Sequence, residues 1–221
     1  MSDQLRLYSY WRSSAAYRVR IGLNLKQLNY ELVPVHLVSG GGQQHGAEYR
    51  ALNPQALVPT LCHGGRRLLQ SLAILEYLEE VWPEPPLLPA RAPARQRARA
   101  IAQLVACDVH PLNNLRVLQY LEQEWNVPQP EREAWVRHWI ETGFAAAEAL
   151  LDGQAACGEF CEGDSPTIAD CCLVPQVYNA RRFGVDMGAY PTLERIERAC
   201  LALPAFEAAQ PHNQPDAPAS D

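Results

Sequence analysis

The chain has 221 residues, 48% of them apolar and 20% charged, with 18 prolines, enough to bury one sizeable core or two small ones. With 25 acidic against 19 basic residues the formal charge is -6, which gives no global electrostatic reason to bind nucleic acid or an anionic membrane. No apolar run approaches the roughly 20 residues that cross a bilayer, and residues 1–7 lack the basic-then-apolar plan of a secretory leader, so the expected compartment is the cytoplasm.

Up to about Val81 short apolar runs alternate with helical patterns, as in a small α/β domain. Residues 5–10 read as a strand. Residues 14–28 follow as an amphipathic helix, with Ile21, Leu25 and Leu28 at helical spacing and Arg18, Arg20, Asn24 and Lys26 between them. Residues 30–37 (YELVPVHL) read as a second strand, ended by the Gly40-Gly41-Gly42 run. Residues 58–62 and 67–69 flank Gly64-Gly65, the turn chemistry of a hairpin. Ser71 stands where a helix N-cap belongs, ahead of the apolar stripe Leu72, Leu75 and Leu78.

Residues 82–93 (WPEPPLLPARAP) carry five prolines, which cannot continue a helix and stiffen a linker. The expected division is therefore an α/β domain over 1–83, a linker over 84–93 and an all-helical bundle over 94–221. In the bundle Ile101, Leu104, Val105 and Leu112 mark one helical stretch, and Val136, Ile140, Phe144, Ala147 and Leu151 another. Thr167-Ile168-Ala169-Asp170 fits a capping box, a folding signal before a functional one. The tail over 211–221 is rich in Pro, Asp and Ala and reads as mobile at its end.

Seven cysteines (62, 107, 157, 161, 171, 172 and 200) are an odd number without a Cys-x-x-Cys pair or a His at ligand spacing. They read as buried reduced thiols, with no metal site expected. Cys157 and Cys161 have the spacing of one helical turn. The basic residues are 18 arginines and a single lysine, Lys26, so only individual arginines carry functional weight.

Chemistry is expected first at the turn from strand 1 into helix 1, Tyr10-Trp11-Arg12-Ser13-Ser14-Ala15. Unpaired amides and the positive end of the helix dipole there favour an anion, and a bound small thiol would be activated by the dipole together with a hydroxyl. The plainer reading makes Ser13 or Ser14 an N-cap. Val58-Pro59, if cis, would turn the Val58 amide and carbonyl outward as a dock for a peptide. Gln70-Ser71 would receive a carboxylate at the next helix start. Together these elements describe a peptide thiol clamped by main chain, carboxylate and sulfur.

SSAAYRVRIGL (13–23) resembles the SSCxWRVRIAL signature of zeta-class glutathione transferases, the maleylacetoacetate isomerases. ALNPQALVPTL and LLQSLAILEYLEE resemble the glutathione site of that family. HPLNNLRVLQYL, GDSPTIADCCLVPQVYNARRFGVD, YPTLERI and a closing QPD continue the resemblance nearly end to end. It implies a thioredoxin-like N-terminal domain, an all-helical C-terminal domain and a homodimer. The activity implied is glutathione-dependent cis–trans isomerisation of maleylacetoacetate to fumarylacetoacetate, by thiolate addition, bond rotation and elimination, in aromatic amino-acid (tyrosine and phenylalanine) catabolism.

By the same resemblance the glutathione contacts fall on Ser13, Ser14, Ala15, Ala16, Tyr17, Arg18, Gln44, Val58, Gln70 and Ser71, with His110, Asn114, Leu115 and Arg116 closing the site from the helical domain. Ser14 is expected as the main hydroxyl donor, with Ser13 beside it. Arg12 and Arg182 resemble positions that face the acidic keto-diacid substrate, which a guanidinium holds with two hydrogen bonds; Arg181 and Arg116 are weaker candidates. The family's signature cysteine is Ala15 here, so glutathione must bring the only sulfur. Three alternatives remain open: a maleylpyruvate isomerase or general glutathione S-transferase, a non-catalytic interaction protein, and a disulfide reductase, the last opposed by the lack of Cys at positions 13–15.

Overall fold

The computed structural model describes residues 4–218, which form two compact units, 4–87 with 202–218 and Leu88–Leu201. In the first, β1 (Leu5–Ser9), α1 (Ser14–Leu25) and β2 (Tyr30–Pro34) form a strand–helix–strand crossover. α2 (Ala47–Leu52), β3 (Thr60–His63), β4 (Arg66–Leu69) and α3 (Ser71–Val81) follow. The sheet order is β2-β1-β3-β4, with β1 parallel to β2 and antiparallel to β3. This mixed sheet is the thioredoxin-like arrangement, and its one parallel pair requires the crossover that α1 provides. Gly64 and Gly65 take positive φ (53° and 82°) in the hairpin turn between β3 and β4, the conformation their sequence favours.

Leu5, Leu7 and Leu61 of the sheet pack with Val19 and Leu23 of α1 and Ile74 and Leu78 of α3. A Cβ at Gly22 would overlap the Leu75 side chain, so glycine lets α1 and α3 approach. Tyr10, Val35, Tyr49 and Val58 form a separate cluster that includes Tyr8 and Trp11. Tyr49 lies on α2, a short helix for which the sequence reading had no signal.

Helix α1 departs from the expected amphipathic plan. Arg18, Arg20 and Lys26 are all buried. Arg20 donates to Ser9 Oγ (3.1 Å), the Tyr10 carbonyl (3.4 Å), the Trp11 carbonyl (3.0 Å) and the Ala209 carbonyl (3.0 Å). Lys26 Nζ lies 2.6 Å from Glu79 Oε2 and 2.6 Å from the Trp82 carbonyl. The helix has no solvent face because α9 (Pro204–Ala209) packs against it, with Asn24 donating to the Ala205 carbonyl at 2.9 Å. The helix also stops at Leu25, short of residue 28, where Gln27 takes φ 55°.

The second unit contains α4 (Ala92–Gln103), α5 (Leu115–Gln123), α6 (Gln129–Leu151), α7 (Ile168–Arg182) and α8 (Pro191–Leu201). Between α4 and α5 the chain widens into a π-helical stretch, Leu104–Val109, and then tightens into a 3-10 turn, His110–Asn113. Val136, Ile140, Phe144, Ala147 and Leu151 form the buried stripe of α6. The capping box at Thr167 is formed, and Asp170 also accepts the Cys161 amide at 2.9 Å. Burial pushes the Asp170 carboxyl above its ordinary range, against the opposing effect of its amide donors.

The proline-rich stretch differs from expectation at its end. Helix α4 begins at Ala92 because Pro93 lies in its first turn, where the missing N–H leaves no intrahelical bond unmade. The C-terminal segment also differs: 202–218 packs in the first unit rather than with the helices. Within the tail, Gln214 is buried and donates to the Ala208 and Gln210 carbonyls, and Asp216 accepts the Trp11 amide at 2.9 Å. Residues 219–221 of that tail lie outside the described residues.

The cysteines are not uniformly buried. Cys161, Cys171, Cys172 and Cys200 are buried, Cys62 and Cys157 half-buried, and Cys107 exposed. Cys157 and Cys161 lie in an irregular segment rather than on one helix. Burial raises the Cys161, Cys171 and Cys200 thiols above their ordinary pKa. No helix among the described residues is long and apolar enough to cross a membrane.

Native-state thiol labelling followed by mass spectrometry is expected to modify Cys107 first and the four buried cysteines only on unfolding. Arg20→Met leaves three carbonyls without this donor, and is expected to cost roughly 2–4 kcal/mol in denaturant unfolding. The same substitution should raise amide hydrogen exchange across 202–218; unchanged exchange there would remove Arg20 as its anchor.

Candidate active site

The turn from β1 into α1 separates the two serines. Ser13 is the N-cap: its Oγ accepts the Ala16 amide at 3.2 Å, and its carbonyl accepts the Tyr17 amide at 2.8 Å. Ser14 is the first helical residue and is buried, yet its Oγ makes no hydrogen bond with any described residue. The amides of Ser14 and Ala15 are likewise unpaired among the described residues. One uncommitted hydroxyl and two uncommitted N–H groups thus stand at the positive end of a 12-residue helix, a composition suited to an anion such as a thiolate. Arg12 stacks on Trp11, its guanidinium carbon 5.3 Å from the ring centre, and forms no ion pair among the described residues.

The other expected residues of this unit bracket the same edge of the sheet. Val58 shares an apolar cluster with Tyr10 and Trp11. It precedes a cis proline, and its main-chain N–H and C=O make no hydrogen bond with a described residue. Gln44, in a 3-10 turn after the glycine run, donates to the Leu37 carbonyl at 3.1 Å and is 5% exposed, while its Oε1 is buried without a partner. Leu37 belongs to the cluster of Tyr10 and Val58.

At the start of α3 the structure corrects the expected cap. Gln70, at φ 68°, occupies the N-cap position without a side-chain cap, and Ser71 is the first helical residue. Ser71 Oγ instead accepts from Arg18 Nη1 at 3.2 Å, so a buried guanidinium braces that helix start. Ala16 and Tyr17 are buried in α1, where they bear on packing.

In the helical unit His110 opens the 3-10 turn, with its Nε2 3.3 Å from Asn114 Nδ2. Asn114 caps α5 by accepting the Arg116 amide at 3.2 Å. Leu115 is half-buried, and Arg116 is exposed. Arg182 ends α7, with Nη1 3.2 Å from Asn179 Oδ1 and its guanidinium 4.5 Å from the Phe183 ring centre. Arg181 is committed elsewhere, pairing with Glu197 at 2.6 Å and Glu194 at 3.3 Å.

Two residues that shape the first turn escaped the sequence reading: Arg20 as a buried brace, and Asp216, quoted only within QPD. A signal for the first was present. Tyr17, Val19, Ile21 and Leu23 interleave with Arg18 and Arg20 so that apolar residues surround the helix, the mark of one buried on every side. Nothing local in the sequence marked Asp216 as a partner of Trp11.

Residues 7–86 match the family described as the glutathione S-transferase N-terminal domain. A probable maleylacetoacetate isomerase of Vibrio cholerae is 54% identical over 96% of this chain and 98% of its own length. A solved maleylpyruvate isomerase, described as a bacterial zeta-class glutathione S-transferase in its holo form, superposes with TM-score 0.93 at 48% identity over 96% of this chain and all of its own. A maleylacetoacetate isomerase from Methylobacterium extorquens, solved with malonate and glutathione, gives TM-score 0.93 at 45% identity over 97% of this chain and all of its own. With identity this high over nearly the full length, and with the serine pair at the mouth of α1, the chain belongs to the zeta class of the glutathione transferase family.

Proposed function

We propose that the protein is a glutathione-dependent cis–trans isomerase of maleyl keto-diacids, converting maleylacetoacetate to fumarylacetoacetate. The observation that carries this is the division of labour between the serines, one capping the helix and the other leaving its hydroxyl open beside two open amides. Groups elsewhere in the same unit fit a tripeptide thiol. The open main chain of Val58 offers a donor and an acceptor to a peptide bond, Gln44 Oε1 offers a buried acceptor, and the α3 N-terminus at Gln70-Ser71 offers amides to a carboxylate.

Bound glutathione supplies the thiolate that adds reversibly to the cis double bond, leaving a single bond that rotates before elimination. The task of the protein is to hold negative charge without a strong acid that would protonate the adduct to completion. Ser14 Oγ donates its hydrogen to the sulfur, and the Ser14 and Ala15 amides face it at the positive end of α1. Ser13 keeps those amides in place through its cap. With Ala15 at the family's cysteine position, no protein thiol competes for the substrate at this turn.

Charge on the substrate is met by arginine. Arg182 and Arg12 are the guanidiniums proposed for the carboxylate and the developing enolate, because each offers a planar fork of donors. Arg116, exposed on α5 without an ion pair among the described residues, is kept as a weaker third. His110 and Asn114 are proposed as further polar contacts, as the family resemblance implies. The 48% identity to a maleylpyruvate isomerase supports the same chemistry on a shorter keto-diacid as a second reading. A homodimer, as the family resemblance implies, and a cytoplasmic location, in keeping with seven free thiols, complete the proposal.

Side-by-side turnover of maleylacetoacetate and maleylpyruvate, with and without glutathione, tests the assignment; turnover without the tripeptide would reject it. Ser14→Ala is expected to lower kcat/KM by about ten- to a hundredfold, the loss of one hydrogen bond to a charged group, with little change in unfolding free energy. Ser13→Ala is expected to cost about 1 kcal/mol of stability as a lost N-cap. Arg182→Ala should raise KM and lower kcat/KM for the keto-diacid by about tenfold or more while glutathione affinity stays unchanged.

A further inference from the structure

The helical unit contains a chain of amide hydrogen bonds that ends on Arg182. Asn113 Nδ2 donates to the Val109 carbonyl at 3.1 Å. Asn179 Nδ2 donates to Asn113 Oδ1 at 3.3 Å, and Arg182 Nη1 donates to Asn179 Oδ1 at 3.2 Å. Both asparagines are buried, at 7% and 6% exposure, where an unpaired amide would cost about 1–3 kcal/mol.

The polarity of this relay is fixed from both ends. A main-chain carbonyl only accepts and a guanidinium only donates. Asn113 must therefore turn its nitrogen to Val109, which leaves its oxygen for Asn179, and Asn179 must turn its oxygen to Arg182. Reversing either amide would set donor against donor or oxygen against oxygen. Phe183 adds a second restraint, its ring centre 4.5 Å from the guanidinium carbon.

We propose that Asn113 and Asn179 are positioning residues that hold Arg182 oriented for a substrate carboxylate, a role that rests on the assignment of Arg182 above. Arg181, the preceding residue, is held by two glutamates, whereas Arg182 is restrained through the Asn179 amide oxygen and the Phe183 ring. Ordering the side chain beforehand lowers the rotamer entropy that substrate binding would otherwise have to overcome. The relay also connects Arg182 to the 3-10 turn that His110 opens.

The test measures keto-diacid kinetics, glutathione binding by calorimetry and thermal unfolding for Asn113→Leu, Arg182→Ala and the double variant. Asn113→Leu is expected to raise the keto-diacid KM about tenfold with kcat changed less, to leave the glutathione Kd within twofold, and to add no further loss in the Arg182→Ala background. An equal fall in kcat and glutathione affinity, unchanged keto-diacid kinetics, or a full additional loss in the double variant would overturn the proposal. Asn179→Asp preserves volume should Asn113→Leu fail to fold. It removes the donor to Asn113 and sets a carboxylate against the guanidinium, so the same rise in KM is expected, and an unchanged KM would overturn the relay. Unchanged keto-diacid kinetics in Arg182→Ala alone would instead overturn the assignment of Arg182 itself. Impaired kinetics there beside a normal Asn113→Leu would overturn only the positioning role.

Discussion

The first turn of α1 keeps a hydroxyl and two amides open because it is braced from behind. Arg20, fully buried, gathers the carbonyls of Tyr10 and Trp11 and ties them to the Ala209 carbonyl. Asp216 draws in the Trp11 amide, and Ser13 closes the cap. These contacts consume the polar groups on both sides of the turn and leave the Ser14 hydroxyl and two amides uncommitted. A single exposed loop would not keep such groups open and fixed at once. Burial of the brace strengthens its hydrogen bonds, because a donor lost there exposes its partners to an apolar interior.

Several arginines illustrate how surroundings assign a role to one chemical group. Arg18 and Arg20 are interior struts, one supporting Ser71 and the other the β1–α1 turn. Arg181 is an ion-pair partner on two glutamates. Arg182, the next residue, donates to the Asn179 amide oxygen and lies over the Phe183 ring. The helical repeat explains the difference: adjacent residues on α7 are rotated by about 100°, so one faces the acidic side of α8 and the other the Asn179–Asn113 relay.

Much of this architecture was legible in the sequence, since local chemistry set it. The Gly64-Gly65 hairpin, the Thr167–Asp170 capping box and the α6 stripe from Val136 to Leu151 are each specified within a few residues. The serine pair and the order of the dispersed motifs identified the family. What the sequence did not reveal depended on distant partners. Arg18 and Lys26 read as polar positions of an amphipathic helix, their buried partners hidden because Ser71 and Glu79 are each 53 positions away along the chain. The return of 202–218 to the first unit had no local signature, and Ser71 looked like a cap because its hydroxyl's true partner, Arg18, lies on another helix.

The account turns on the charge state of a sulfur at the mouth of α1. An ultraviolet titration of glutathione bound to the intact protein measures this directly, reading the thiolate absorbance against pH with Ser14→Ala as the comparison. A free thiol ionises near about 8.5. The bound thiol is expected to ionise well below that value in the intact protein and to move back toward it in Ser14→Ala. A bound thiol that titrates like the free one, or whose ionisation ignores Ser14, would contradict the account.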